Sequence, residues 1–310
     1  MNFGKYFKIL SYRERDFFGI IIYGCPSGIY INDIELTELI SKIYPSFIEK
    51  YNIKINIHSG IAHGITLGKP ITIIVDYKNK HLLNTHYPIT LNLKDNLTHI
   101  ENITSFLIGG NLAEKWIQLT YGIETIAWVS QLGYLKYNIN DDITKNIYTI
   151  KRHDIEKYIN KCPNNDISTQ MESLQIDSNK NNEILPGTIT CVCRNIPLYI
   201  NQNEFDKIEA HLAQAMISIQ NAYCFEIEDG FHITNSYSTH SNYQTKKNII
   251  FTVSFKPESI YNLSLQPISQ SDSGIEKLVY LVQAKATCII IDIIQSSYNI
   301  QSTNNYTHNY

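Results

Sequence analysis

Apolar residues first gather in Phe18 to Tyr23, F-G-I-I-I-Y, a run with the length and β-branched content of a buried strand. A turn follows at Gly24-Cys25-Pro26-Ser27-Gly28. Asn32 and Glu35 then stand at the spacing of a capping box. Leu36, Leu39, Ile40 and Ile43 recur at helical period until Pro45 stops them. Ile53 to Ile57 alternates with Lys54 and Asn56, predicting a half-exposed strand, and Pro70 to Val75 predicts another. Asp76 to Asn102 is polar and without period, and predicts irregular structure. Asn111 to Tyr121 predicts a helix closed by Gly122. Asn164 to Glu183, dense in Asn, Ser and Asp, predicts a mobile loop. Thr188 to Cys193 predicts a strand. Phe205, Ile208, Leu212, Ala215, Met216 and Ile219 keep helical spacing, and the chain then enters a strand that ends in Asp229-Gly230-Phe231. Ile249 to Phe255 predicts a strand, and Gly274 to Ile294 a long apolar helix whose apolar surface exceeds one face. Two layers bury that surface, an oligomer does, or both do. The tail from Ser302 to Tyr310 predicts disorder. No internal repeat is legible and no linker divides the chain. The fold class expected is α+β, one domain over residues 1–301 in which antiparallel sheets cover helices.

Composition narrows the functional classes. With 310 residues and 43% hydrophobic content, a sizeable core is expected. The formal charge is −3, and no basic run is interleaved with aromatics, so a nucleic-acid partner is not expected. No apolar run approaches the roughly 20 residues that span a bilayer, and the first residues lack the apolar stretch of a signal peptide. The expectation is a soluble cytoplasmic protein with no membrane partner. Six cysteines occur and none forms C-x-x-C. Cys191 and Cys193, two apart in a predicted strand, face one side. Buried thiols in a reducing compartment are expected, not disulfides or metal ligands. The histidines lack ligand spacing, so no metal is expected. Neither a glycine-rich dinucleotide loop nor a nucleophile elbow is present. The chain holds only four arginines: Arg13, Arg15, Arg152 and Arg194. Arginine is the preferred residue for bidentate capture of phosphate and carboxylate, so this scarcity bounds how many anions a site can hold.

The segment from Ile217, I-S-I-Q-N-A-Y-C-F-E-I-E-D-G-F, resembles the S-I-N-A-V-K-G-V-E-I-G-D-G-F segment of chorismate synthases. Other pieces follow in the family's order. Gly4 to Phe7 looks like its opening G-x-x-F. Gly24 to Gly28 resembles its G-x-P-x-G turn. Ser59 to Ile71, S-G-I-A-H-G-I-T-L-G-K-P-I, is similar to S-G-V-F-E-G-x-T-x-G-x-P-I. Gly110 to Trp116 resembles G-A-I-A-K-K-Y. Phe205 to Ile219 resembles F-D-x-L-x-A-x-x-A-x-A-x-x-S-I. Phe255 to Ile260, F-K-P-E-S-I, looks like K-P-T-x-S-I with one residue fewer, and Asp272 falls at the Asp of R-H-D-P. The resemblance implies a β-α-β sandwich and a homotetramer. It implies binding of reduced FMN and of 5-enolpyruvylshikimate 3-phosphate, with trans-1,4 elimination of phosphate to give chorismate.

A substrate with a phosphate and two carboxylates needs fixed cations, and phosphate departure needs positive charge or an acid at the leaving oxygen. The resemblance implies Asp272 and His86 as catalytic groups. It implies Gln220, Asn221, Lys256, Pro257 and Ser259 at the flavin, and Lys42, Arg13 and Arg15 for the substrate's anions. Departures are many. F-G-E-S-H-G becomes Tyr12 to Phe17, with Asp16 at the histidine. R-R-R-P becomes Lys42-Ile43-Tyr44-Pro45. D-S-I-G-G becomes Glu183 to Gly187, and the arginine of R-H-D-P, two residues before Asp272, becomes Gln270. His63, at a family Glu, reads as a half-buried polar residue. Lys246 and Lys247 read as a charge pair on an exposed turn. Arg13 and Arg15 read either as compensation for lost cations or as a solvated loop face. Two further readings stay open: a catalytically inactive relative serving as a scaffold, and a cavity adapted to a less charged ligand.

Overall fold

The structure, a computed structural model, describes residues 2–3, 6–14, 17–43, 53–76, 91–137, 149–181, 183, 185–201, 207–227, 246–256 and 275–307. Its contacts divide the chain into two compact units. One comprises residues 1–116, 265–272 and 287–310; the other comprises 117–264 and 273–286.

The first unit is built on a five-stranded antiparallel sheet ordered β1-β2-β3-β8-β5. Its strands are β1 (Asn2–Phe3), β2 (Lys8–Arg13), β3 (Phe17–Tyr23), β5 (Lys54–Ser59) and β8 (Ile71–Asp76). Register aligns Ile9 with Ile22 and Ile22 with Ile71, Ile20 with Ile73, and Phe18 with Val75 and Ile55's partner row. All these side chains are buried, so alternate positions along the strands make one apolar face. Helix α1 (Asp33–Ile43) begins where the capping pattern places it: Asn32 Oδ1 accepts from the Glu35 main-chain N–H at 2.8 Å. It buries Leu36, Ile40 and Ile43 and packs on β5. Helix α2 (Leu91–Tyr121) lies on the same sheet; a Cβ at Gly109 would meet Ile9 Cδ1 at 2.4 Å. A smaller sheet, β4 (Ser27–Tyr30), β7 (Ile65–Leu67) and β6 (Ile61–Ala62), completes the unit's strands.

The second unit holds a sheet ordered β10-β9-β11-β13-β12. Its strands are β9 (Glu124–Leu132), β10 (Leu135–Lys136), β11 (Gly187–Pro197), β12 (Ala222–Ile227) and β13 (Lys246–Phe255). Cys191, Val192 and Cys193 on β11 are buried on both faces, as are Ile126 to Val129 on β9. Three helices lie between these strands in sequence: α3 (Arg152–Glu156), α4 (Asn165–Lys180) and α5 (Ile208–Ile217). Helix α6 (Ile275–Thr307) follows β13 and crosses from this unit to the first at residue 287.

The two units share one connectivity, which the sequence conceals. β2, β3, α1, β5, β8 and α2 run in the same order as β9, β11, α5, β12, β13 and α6, and both sheets are antiparallel with their four main strands ordered first, second, fourth, third. Each helix that follows the second strand packs on the third, α1 on β5 and α5 on β12. Topology is preserved by pattern, so no residue-level repeat is needed to produce it.

Several expectations are corrected. Asn164 to Glu183 is not a mobile loop: α4 occupies Asn165–Lys180. The polar residues that suggested a loop are used inward. Asn164 Oδ1 caps the helix from the Asp166 and Ile167 N–H groups, at 3.0 and 3.1 Å. Buried Ser168 exchanges bonds with buried Asn160, 2.7 Å from Nδ2 to the Ser168 carbonyl and 2.9 Å from Oγ to Oδ1. Residues 91–102, expected irregular, are the first turns of α2, and 77–90 lie outside the described residues. The disorder expected from Ser302 gives way to helix as far as Thr307. Lys247 is not on a turn; it sits on β13 and pairs with Glu209 Oε1 at 2.7 Å. His63 is exposed, at φ 49°, in the tight β6–β7 connection. Five of the cysteines are buried and Cys224 is exposed; burial pushes the Cys25 thiol up to about 12. Finally, Ile275–Ser297 is long and apolar enough to cross a bilayer by length and composition, contrary to the first reading, but its most apolar stretch is 78% buried inside the protein.

Glu276 opens α6 with its Oε2 sealed from solvent and without a hydrogen-bond partner among the described residues. Burial raises its carboxyl above the ordinary 4.5, while its own backbone bond, Lys277 and Lys161 pull it down less. The folded state therefore holds this proton longer than the unfolded chain does. Its contribution is fully present below pH 4.5 and is lost as pH rises through the folded value. Glu276→Gln is expected to melt like the wild type at pH 4 and progressively above it at higher pH. Thermal melts across that range check this; a constant offset at every pH would contradict it.

Candidate functional site

Of the residues with an expected site role, the structure brings Asn221 and Lys256 together. Helix α5 ends at Ile217, with Ser218 as its C-cap. The chain then turns through Ser218 to Asn221 before entering β12. The turn is fixed by bonds from Ile219 N–H to Met216 O at 3.0 Å and from Ala222 N–H to Ile219 O at 3.0 Å. Asn221 takes a left-handed conformation, φ 65°, which asparagine tolerates better than most residues. Its carbonyl accepts the Lys256 N–H at 3.3 Å, so the end of β13 is tied to the turn. Gln220 is exposed and Asn221 half-buried.

A second device shapes this corner. The β12–β13 register shifts between Ala222 and Cys224, a bulge with Tyr223 at its centre. Tyr223 is thereby turned outward, 71% exposed, and Lys256 Nζ lies 4.3 Å from its ring centroid. The corner thus presents the Gln220 amide, one ammonium and one aromatic face, while Asn221 Nδ2 is buried beneath them. Beneath it, Lys285 of α6 is buried at 6% exposure. Its Nζ donates to Ser218 Oγ at 2.9 Å and toward the Ala215 carbonyl at 3.4 Å. Ser218 Oγ in turn donates to the Ala215 carbonyl at 2.7 Å. The ammonium therefore sits at the negative end of the α5 dipole.

The remaining expected site residues lie apart or outside. Lys42 is exposed in the last turn of α1. Arg13 ends β2 opposite Phe18, and its side chain is not among those described. Asp272, His86, Pro257, Ser259 and Arg15 fall outside the described residues. Arg194 is 7% exposed and is held by the Ile150 carbonyl at 2.7 Å and by Glu124 Oε2 at 3.4 Å. Among the described residues, no group of three or more His, Cys, Asp or Glu is placed to hold a metal.

A family model described as chorismate synthase matches residues 102–277, more than half of the chain and the whole of this corner's helix-turn-strand. The chain belongs to the chorismate synthase family. Chorismate synthase aro-2 of Neurospora crassa is 28% identical over 268 residues, which cover 74% of this chain and 62% of that protein. The match thus spans less than two thirds of the Neurospora protein's length. The chorismate synthase of Schizosaccharomyces pombe is 26% identical over 274 residues, 74% of this chain and 69% of that one. That of Gloeothece citriformis is 26% identical over 321 residues, 87% and 86% respectively. A crystal structure of chorismate synthase matches with a TM-score of 0.70 at 16% identity, over 99% of this chain and 100% of that one. The fold is therefore the mixed helix and antiparallel-sheet fold of that structure, and the expected α+β class holds.

Chorismate synthases are the reason to ask whether this corner fits a flavin. Its exposed donors, the Lys256 ammonium and the Gln220 amide on a turn held by main-chain bonds, are of the kind an anion such as the phosphate end of FMN needs. Tyr223 and Lys285 were not singled out from sequence. A bulge leaves no signature in one chain, whereas a lysine inside an otherwise apolar helix was a visible signal that reads as an interruption until its partner is known.

Proposed function

We propose that this protein is a chorismate synthase: it takes reduced FMN and 5-enolpyruvylshikimate 3-phosphate and eliminates phosphate to give chorismate. The observation that carries the reading is the corner of Gln220, Asn221 and Lys256 within a chain of this family. In this proposal Lys256 and the Gln220 amide hold the cofactor's phosphate end, and Asn221 places them through the main chain of the turn. When bound, the reduced flavin supplies an electron-rich ring beside the reacting carbons. Lys42, Arg13 and Arg15 are assigned to the substrate's phosphate and carboxylates. Asp272 assists removal of the ring proton and His86 supplies the acid for the departing phosphate. The substrate loses one proton and one phosphate, so no net oxidation occurs. A cytoplasmic homotetramer is part of the same proposal.

A second reading, a catalytically inactive member of the family, is favoured by one observation. Arg194, one of only four arginines, is buried against Glu124 and a main-chain carbonyl and serves the fold. Fewer cations then remain for an anionic substrate. Anaerobic titration of the purified protein with reduced FMN, with and without the phosphorylated substrate, separates the two. Micromolar binding that tightens with substrate, weakened on the order of tenfold in Lys256→Ala, supports the enzyme. A folded protein that binds no reduced FMN supports the inactive reading.

A further inference from the structure

We propose that Lys285 is a positioning residue for the cofactor's anionic end, acting from beneath the corner rather than by contact. The inference rests on the flavin reading above and extends it to a residue on another element. Burying an ammonium costs free energy that an apolar side chain of the same length would not incur. At the middle of α6 its neighbours in sequence are apolar: Leu281, Val282, Ala284 and Ala286 are all buried. The charge is accommodated by oxygens supplied by α5, through Ser218 Oγ and the Ala215 carbonyl. Both belong to the last turn of that helix, and the next three residues form the corner itself.

Two consequences follow from that placement. Lys285 fixes the end of α5, so it sets the start of the turn that places Gln220 and the left-handed Asn221, whose carbonyl anchors Lys256. It also places an ammonium under an exposed surface. There a low-dielectric surround makes it act over a longer range than an exposed lysine would. In a chain with four arginines, one of them buried in the fold, an ammonium reached through a helix end is an economical source of field for an anion. The field selects for charge and the turn selects for shape, so the two parts of the role separate experimentally.

The test compares reduced FMN with reduced riboflavin, which shares the ring and lacks the phosphate, by anaerobic calorimetry on the full chain. The variants are Lys285→Met and Ser218→Ala, with circular dichroism and thermal melts as the check on folding. Lys285→Met is expected to bind FMN about tenfold more weakly and riboflavin nearly unchanged. Ser218→Ala removes the oxygen that holds the ammonium at the end of α5, so the charge is no longer fixed beneath the corner; FMN is expected to bind a few-fold more weakly and riboflavin nearly unchanged. Equal losses for both flavins, or none, overturn the proposal, and if Lys285→Met does not fold the Ser218→Ala comparison decides alone. A wild type that binds riboflavin and FMN equally also overturns it. A wild type that binds neither flavin removes the flavin reading itself and this inference with it.

Discussion

Gly24→Ala is expected to destabilise the protein by about 3 kcal/mol or more. Gly24 closes β3 with φ +73°, where a residue with a Cβ is strained by about 1–2 kcal/mol. A Cβ there would also stand 2.1 Å from the Tyr6 carbonyl oxygen. That neighbour is backbone, not the end of a flexible side chain, so the segment leading into β2 must move to admit it. Gly68 supplies the control. It has φ +69°, but its nearest neighbours, Ser27 Cβ and N, lie 3.7 Å from the added carbon. Gly68→Ala is therefore expected to lose only the conformational part, about 1 kcal/mol. Denaturant titrations of the two variants measure the difference. Equal losses would mean that the Tyr6 contact relaxes freely.

Asp292→Ala is expected to lose about 2–4 kcal/mol, because it leaves two main-chain donors without their acceptor. Asp292 Oδ1 accepts from the N–H groups of Tyr6 and Phe7 at 2.6 and 2.7 Å. These bonds tie α6 to the start of β2, some 285 residues away in sequence, and Phe7 is fully buried. Asp292→Asn keeps an oxygen at the same place and is expected to lose about 1 kcal/mol, the difference between a charged and a neutral acceptor. Hydrogen exchange at the Tyr6 and Phe7 amides gives a local readout beside the global melt. Protection retained in Asp292→Ala would show that another acceptor had taken over.

These variants and the corner show which parts of the molecule were legible beforehand. The start of α1 was readable because a capping box is local: Asn32 and Glu35 meet within one turn whatever the rest of the chain does. β3 was readable because a short β-branched apolar run calls for burial in any arrangement, and β5 because alternation survives any arrangement that covers one face. Helix α4 was misread for the opposite reason. Asn160, Asn164 and Ser168 look like loop residues by composition, and only their mutual bonds reveal that they cap and fill a helix. The candidate site divides the same way. Gln220, Asn221 and Lys256 were found through resemblance, but their meeting required the β12–β13 pairing. Tyr223 needed the bulge, and Lys285 needed the end of α5.

The sequence by itself determined the apolar strands, the capped and glycine-closed helices and membership of a family, because each is written in local spacing or in ordered motifs. Tertiary structure alone decided the shared connectivity of the two units, the buried place of Arg194 and the pairing of Lys285 with Ser218. Those depend on contacts between residues far apart in the chain, and the free energy of such a contact belongs to the pair and its surroundings, not to either residue type.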